Sequence, residues 1–158
     1  MNGIKTREEL KILRIRFKEE YKKVVFTNGV FDIIHSGHID YLNKAKVLGE
    51  ILIVGLNSDS SVKKIKGEKR PILNETERAF ILSNLKPVDY VTLFDEETPA
   101  KLIEELIPDV LVKGADWSID KIVGSDVVLA NGGEVKNIEF VNNQSTSKII
   151  ETILNRYS

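Results

Sequence analysis

The chain contains two histidines, and they stand three residues apart in His35-Ser36-Gly37-His38. Imidazoles at that spacing share one face of a helix and can aim at one point. Each can donate a hydrogen bond to charge that builds on phosphorus-bound oxygens. Gly37 has no side chain to block the approach of a phosphate. A helix beginning here adds free N–H groups and a partial positive charge. The alternative is a capping turn with two surface histidines. Placement directly after an extended run and the glycine-containing loop Thr27-Asn28-Gly29 argues for chemistry at phosphorus.

The elements that must position this pair follow from periodicity. Residues 4–20 are predicted as an amphipathic helix, with Thr6 as its cap and Glu9 three residues on. Strands are expected over 23–27, 51–56, 88–94, 110–112 and 134–141. The uninterrupted apolar run over 51–56 suits a strand buried on both faces. Helices are expected over 37–48, 74–85, 99–106, 121–131 and 145–154, and the lysine-rich stretch 57–70 reads as a polar loop. Such alternation predicts an α/β fold, an open parallel five-stranded sheet with helices on both faces. Ligands of such sheets bind at the carboxyl ends of the strands. There the sequence places Thr27-Asn28-Gly29-Val30-Phe31-Asp32, Asn57-Ser58-Asp59 and Lys113-Gly114-Ala115-Asp116.

Composition bounds the rest. The chain has 158 residues, 42% hydrophobic and 30% charged, which suits one domain with a sizeable core. We expect a single domain over 1–158, with 1–20 as an N-terminal helical extension. With 23 basic and 24 acidic residues the net charge is −1, which argues against a nucleic-acid backbone binder. The absence of Cys removes disulfides, Cys-based zinc sites and thiol nucleophiles. No stretch approaches the about 20 apolar residues of a membrane span. The charged N-terminus lacks the apolar region of a signal peptide. The expectation is a cytoplasmic protein acting on small molecules, with no nucleic acid and no membrane as partner.

The segment from Thr27 to His38 resembles the opening signature of the H-x-G-H nucleotidyltransferase superfamily. More narrowly, the chain resembles bacterial D-glycero-β-D-manno-heptose 1-phosphate adenylyltransferases. The likeness continues through Val54-Gly55-Leu56-Asn57-Ser58-Asp59, Lys66-Gly67, Arg70-Pro71-Ile72 and Arg78. It runs on through Val88-Asp89, Thr98-Pro99, the stretch from Pro108 to Gly114, Asp116, Ile122-Val123-Gly124, Gly132-Gly133 and Ser145-Thr146. Val30, Ala115, Gln144 and Ser147 depart from the family pattern. In many bacteria this domain is fused to a sugar kinase, for which this chain has no room.

The resemblance implies a Rossmann-like fold and a reaction of ATP with heptose 1-phosphate, giving ADP-heptose and pyrophosphate. It implies that His35 and His38 stabilise the transition state, while Thr27, Asn28, Gly29, Phe31 and Gly37 form the nucleotide-side loop. It places Lys46 and Arg78 on phosphates; for Lys46 an exposed helix lysine is the equal alternative. Asn57, Asp59, Lys66 and Arg70 are implied on the substrate side. Lys113, Gly114 and Asp116 are implied at the nucleotide, with Asp116 on the ribose or serving as a turn cap. Ser145 and Thr146 open the last helix as a second phosphate cradle or as an N-cap. Mg²⁺ would bridge the triphosphate, held by phosphates and water rather than by a carboxylate cage. A homo-oligomer, most simply a dimer, is implied. The alternatives are a glycerol-3-phosphate cytidylyltransferase or FAD synthetase type of enzyme, and a nucleotide sensor without catalysis.

Overall fold

The computed structural model describes residues 3–115, 118–139 and 145–158. Five parallel strands form one sheet: β1 Val24–Gly29, β2 Ile51–Asn57, β3 Tyr90–Phe94, β4 Val110–Gly114 and β5 Glu134–Ile138. Their spatial order is β3-β2-β1-β4-β5. The chain therefore builds outward from β1 to one edge, then returns to build the other. The reversal lies between β1 and β4, and the crevice beyond their carboxyl ends is where open α/β sheets bind ligands.

Helices cover both faces because side chains alternate along each strand. Val25, Leu52, Val54, Leu56, Val110 and Val112 point to one face. There they meet Tyr41, Leu42 and Ala45 of α2 (Ser36–Lys46) and Ala79 and Leu82 of α4 (Glu75–Ser83). Val24, Phe26, Ile53 and Leu111 point to the other. That face is covered by α1 (Arg7–Glu19), α5 (Ala100–Leu106) and α6 (Ser125–Ala130).

The helix of the expected N-terminal extension carries part of this second core. Its capping box is formed: Glu9 N donates to Thr6 Oγ1 at 3.2 Å, and Thr6 N to Glu9 Oε2 at 2.8 Å. Leu10 and Phe17 are buried beneath it. A ladder of cations along α1 meets carboxylates beside α5. Arg7 pairs with Glu96, Lys11 with Glu105 at 3.2 Å, and Arg14 with Asp109 at 2.8 Å. Arg14 also caps the end of α5, donating to Ile107 O at 2.9 Å, and the other oxygen of Asp109 accepts from Val24 N at 2.7 Å.

Two expected segments differ. The loop over 57–70 contains a helix, α3 (Asp59–Lys66). Ser58 caps it by accepting from Ser61 N, and Ser61 and Val62 are buried, so a face dominated by Ser and Lys hides a short apolar anchor. The helix expected over 121–131 is broken into a 3-10 turn, Ile119–Lys121, and α6. Gly124 separates them at φ +84°, where an added Cβ would lie 2.7 Å from Ile103 Cδ1. The last strand is Glu134–Ile138, the expected positions 140 and 141 lying outside the described residues, and the last helix, α7, runs Thr146–Tyr157.

Candidate active site

The histidine pair sits at the crevice, on the turn between β1 and α2. The turn is shaped by Phe31, which takes a left-handed φ of +43° and tucks its ring beneath the strand end. A Cβ added at Gly29 would stand 2.9 Å from that ring, so the glycine is required by the packing of Phe31. His35 is the N-cap of α2 in extended conformation, and no side-chain bond caps the helix start. His38 lies in the first turn, its ring 5.2 Å from Phe31 and 3.9 Å from the ring of His35. The two imidazoles lie 31° from parallel.

Their electrostatics follow from this arrangement. Burial lowers the pKa of His35. Burial and then the neighbouring His35 push His38 down to about 4. Both are therefore neutral near pH 7, each with one N–H to offer, rather than fixed cations. Among the described residues, neither Nδ1 atom has a partner, nor does the buried Asn28 Oδ1.

The cation comes from the adjacent strand. Lys113, the penultimate residue of β4, donates to Asn28 O at 3.3 Å, across the gap between β4 and β1. Burial pushes its ammonium down to about 8. Phe31 thus stands against His38, Gly29 packs on Phe31, Gly37 lies between the two histidines, and Lys113, next to Gly114, reaches Asn28 at the strand ends.

Several expected contacts are corrected. Arg78 is fully buried and does not face the crevice. It donates from Nε to Leu73 O at 2.9 Å, and from Nη1 to Val30 O at 2.7 Å and Asn57 O at 2.9 Å. Nη2 donates to Asp59 Oδ1 at 2.7 Å. It is a brace beneath the site loops, because its planar fork matches three carbonyls and a carboxylate. Asn57 and Asp59 are parts of the same brace. Asn57 Nδ2 also bonds Ser61 Oγ at 2.9 Å, and Asp59 N donates to Glu75 at 2.7 Å. Thr27 turns its hydroxyl into the core, 2.7 Å from Tyr41 Oη.

Lys46 is placed at the wrong end of the sheet. It is the last residue of α2, about 15 Å of helix rise from the histidines. It pairs with Asp89 and donates to Glu50 O at 2.6 Å. Lys46→Ala is therefore expected to leave kcat within roughly twofold of wild type and to cost at most about 1 kcal/mol. Steady-state kinetics beside a thermal melt check this, and a large kcat loss would contradict the placement.

Arg70 is held beside the site. Its Nε donates to Asp32 Oδ2 at 2.7 Å, and the same carboxylate accepts from Ile72 N and Leu73 N, each at 2.9 Å. Asp32 is thus a structural centre that residue types alone did not single out, although it stands three residues before His35. Burial raises its pKa, but the amides of Leu73 and Ile72 and the Arg70 guanidinium outweigh that and leave it lowered. Lys66 is exposed at the end of α3, followed by Gly67 at φ +92°. Ser145 caps α7, accepting from Lys148 N at 3.1 Å, which is the N-cap alternative. Thr146 Oγ1 lies 3.5 Å from Ile33 O, tying α7 to the histidine turn. Asp116, Trp117 and Gln144 lie outside the described residues.

No three His, Asp or Glu side chains converge among the described residues. A triphosphate-bound Mg²⁺ fits that donor set only with phosphates and water as its ligands. No described helix is long and apolar enough to cross a membrane.

An open parallel sheet whose reversal point faces neutral imidazoles at a helix start is built to hold a nucleotide's phosphates, and the class so defined is that of the nucleotidyltransferases. The chain belongs to the cytidylyltransferase-like family, whose model matches residues 26–152. It is similar to the bifunctional protein HldE of Citrifermentans bemidjiense, at 62% identity over 86% of this chain and 28% of that protein. The HldE of Pelobacter propionicus is 49% identical over 98% of this chain and 32% of that protein. The chain thus spans about a third or less of these relatives' length. Among solved structures, the lipopolysaccharide core biosynthesis protein of Thermoplasma volcanium is 32% identical with a TM-score of 0.62. That match covers 78% of this chain and 99% of the other. Pantoate-beta-alanine ligase of Francisella tularensis, at 13% identity and a TM-score of 0.63 over 93% of this chain and 69% of its own, shares the fold.

Proposed function

We propose that this chain transfers the AMP of ATP to D-glycero-D-manno-heptose 1-phosphate, giving ADP-heptose and pyrophosphate. The observation that carries the reading is the close His35–His38 pair at the start of α2, with Lys113 reaching Asn28 across the mouth of the β1–β4 crevice. The similarity to HldE, and to a protein described by its role in lipopolysaccharide core biosynthesis, supports the sugar assignment.

A phosphate oxygen of the sugar attacks the α-phosphorus in line. The new O–P bond forms as the bond from α-phosphorus to the β-bridging oxygen breaks, and that electron pair leaves with pyrophosphate. A phosphate nucleophile needs no base, so no residue must remove a proton. Negative charge grows on the oxygens around phosphorus and on the leaving group. His38 and His35 donate N–H bonds to that charge, from a site where burial strengthens them. Lys113 supplies the positive charge, and Lys66 and Arg70 border the substrate side. Mg²⁺ would neutralise the triphosphate. The assignment includes a cytoplasmic enzyme, with residues 1–158 as one nucleotidyltransferase domain, working as a homo-oligomer, for which exposed Ile153, Leu154 and Tyr157 of α7 offer an apolar face.

Pyrophosphate release tests it, with ATP or CTP against a panel of phosphorylated acceptors. Heptose 1-phosphate with ATP is expected to be fastest. Faster turnover of glycerol 3-phosphate with CTP would overturn the substrate assignment, and nucleotide binding without turnover would favour a sensor.

The lysine gives a pH signature. A bound triphosphate favours the ammonium form, so affinity is full below pH 8 and is lost as pH rises through Lys113's value of about 8. The KM for ATP is expected to rise above that pH in the wild type. In Lys113→Met it should be raised by about tenfold at neutral pH and show no such rise. An equal alkaline rise in both proteins would remove Lys113 from the nucleotide site.

A further inference from the structure

The pairing of β1 with β4 is short. It joins Val25 to Val110 and Phe26 to Leu111, although β1 continues to Gly29 and β4 to Gly114. Beyond those pairs the strands part, and Asn28 and Lys113 stand on the two sides of the opening. One side chain spans its base. Tyr41 lies on α2, three residues after His38, with its ring buried in the core. Its hydroxyl is 2.7 Å from Thr27 Oγ1 and donates to Val112 O at 3.3 Å.

Thr27 and Val112 are the first residues past the paired stretch, and each immediately precedes a site residue. Tyr41 thus fastens the histidine helix to both strands where they separate. A purely apolar side chain would fill the same volume but leave the Val112 carbonyl and the Thr27 hydroxyl without this partner. Burial raises the phenol to about 12, which keeps it a neutral donor.

We propose that Tyr41 is a positioning residue for nucleotidyl transfer, its hydroxyl setting through Thr27 and Val112 the distance between the histidine pair on α2 and Lys113 on β4. The proposal rests on the reading of those three groups as the ones that hold the reacting phosphates. His38 is one helical turn from Tyr41, so a shift of α2 moves the imidazole directly. Misplacement of reacting groups by a fraction of an ångström to an ångström is costly in rate.

Tyr41→Phe removes one oxygen and retains the ring. It is expected to lower kcat by about tenfold, with the KM for ATP changed by no more than roughly twofold. Thr27→Val should give a similar loss, and the double variant should be no worse than either single one. The chain has two histidines, so their imidazole C–H resonances report the geometry without any substrate. Both are expected to shift in Tyr41→Phe. A kcat within roughly twofold of wild type, or unmoved imidazole resonances, overturns the proposal and leaves Tyr41 a packing residue that changes only Tm. A wild type that releases no pyrophosphate with any of the acceptors sinks the proposed function instead. The imidazole resonances then decide on Tyr41, shifted for the positioning role and unmoved against it.

Discussion

His38→Ala is expected to lower turnover by about 10²–10³-fold, the scale for losing one donor to developing transition-state charge. The imidazole is partly buried, neutral and without a partner on Nδ1, so in the resting protein it stabilises little. Its hydrogen-bonding capacity is kept for something that arrives. The loss should therefore fall on kcat, with Tm little changed and the KM for ATP moved by only a few-fold at most. Pyrophosphate release under saturating substrates, beside a circular-dichroism melt, separates the two effects. Turnover near the wild-type rate would sink the role assigned to the pair. The ring of His35 lies 3.9 Å from that of His38, so losses at the two positions should be less than additive.

Arg78→Met carries the largest expected effect on stability. The substitution keeps much of the volume but strips the partner from three carbonyls and from Asp59. Leaving three carbonyls at the buried guanidinium's site without their donor, and Asp59 without its cation, costs about 3–5 kcal/mol. That is a large share of the roughly 5–15 kcal/mol that holds an ordinary domain folded. Urea denaturation should show a lowered midpoint at unchanged slope, and Tm should drop by about 10 °C or more. Were Arg78 a phosphate ligand instead, the variant would melt normally and show a raised KM for the sugar phosphate. That outcome would overturn the brace. Because Arg78 holds Val30 O, next to Phe31, turnover of the folded variant should fall as well.

Much of the architecture is legible in the order of residues along the chain. Thr6 and Glu9 announce the start of α1, and the apolar run over 51–56 reads as a strand buried on both faces, which β2 is. The histidine pair was legible because its spacing is local and its place after a strand is a matter of chain order. Other features were hidden for physical reasons. The exposed face of α3 is Ser and Lys, residues equally at home in loops, and its anchor is the single apolar residue Val62 with Ser61. Lys46 and Arg78 looked like phosphate ligands because a cation's type does not reveal its partner. Lys46 finds Asp89, 43 positions away, and Arg78 finds Asp59, 19 positions away. Asp32 is the reverse case, a residue inside the signature whose work is to hold Arg70 and the amides of residues 72 and 73.

By itself the sequence determined the things that depend on neighbours along the chain. These are the alternation of strands and helices, the caps, the two-faced burial of the sheet, and the presence of His35 and His38 at a helix start. The tertiary structure decided what depends on distant residues. It set the strand order that opens a crevice between β1 and β4, and it brought Lys113 to Asn28 across 85 positions. It also sorted the cations into those that face the crevice and those consumed in holding it. The division has one cause. Local backbone propensity is written in adjacent residues, whereas the energy of a charge is set by burial and by partners that only folding brings within reach.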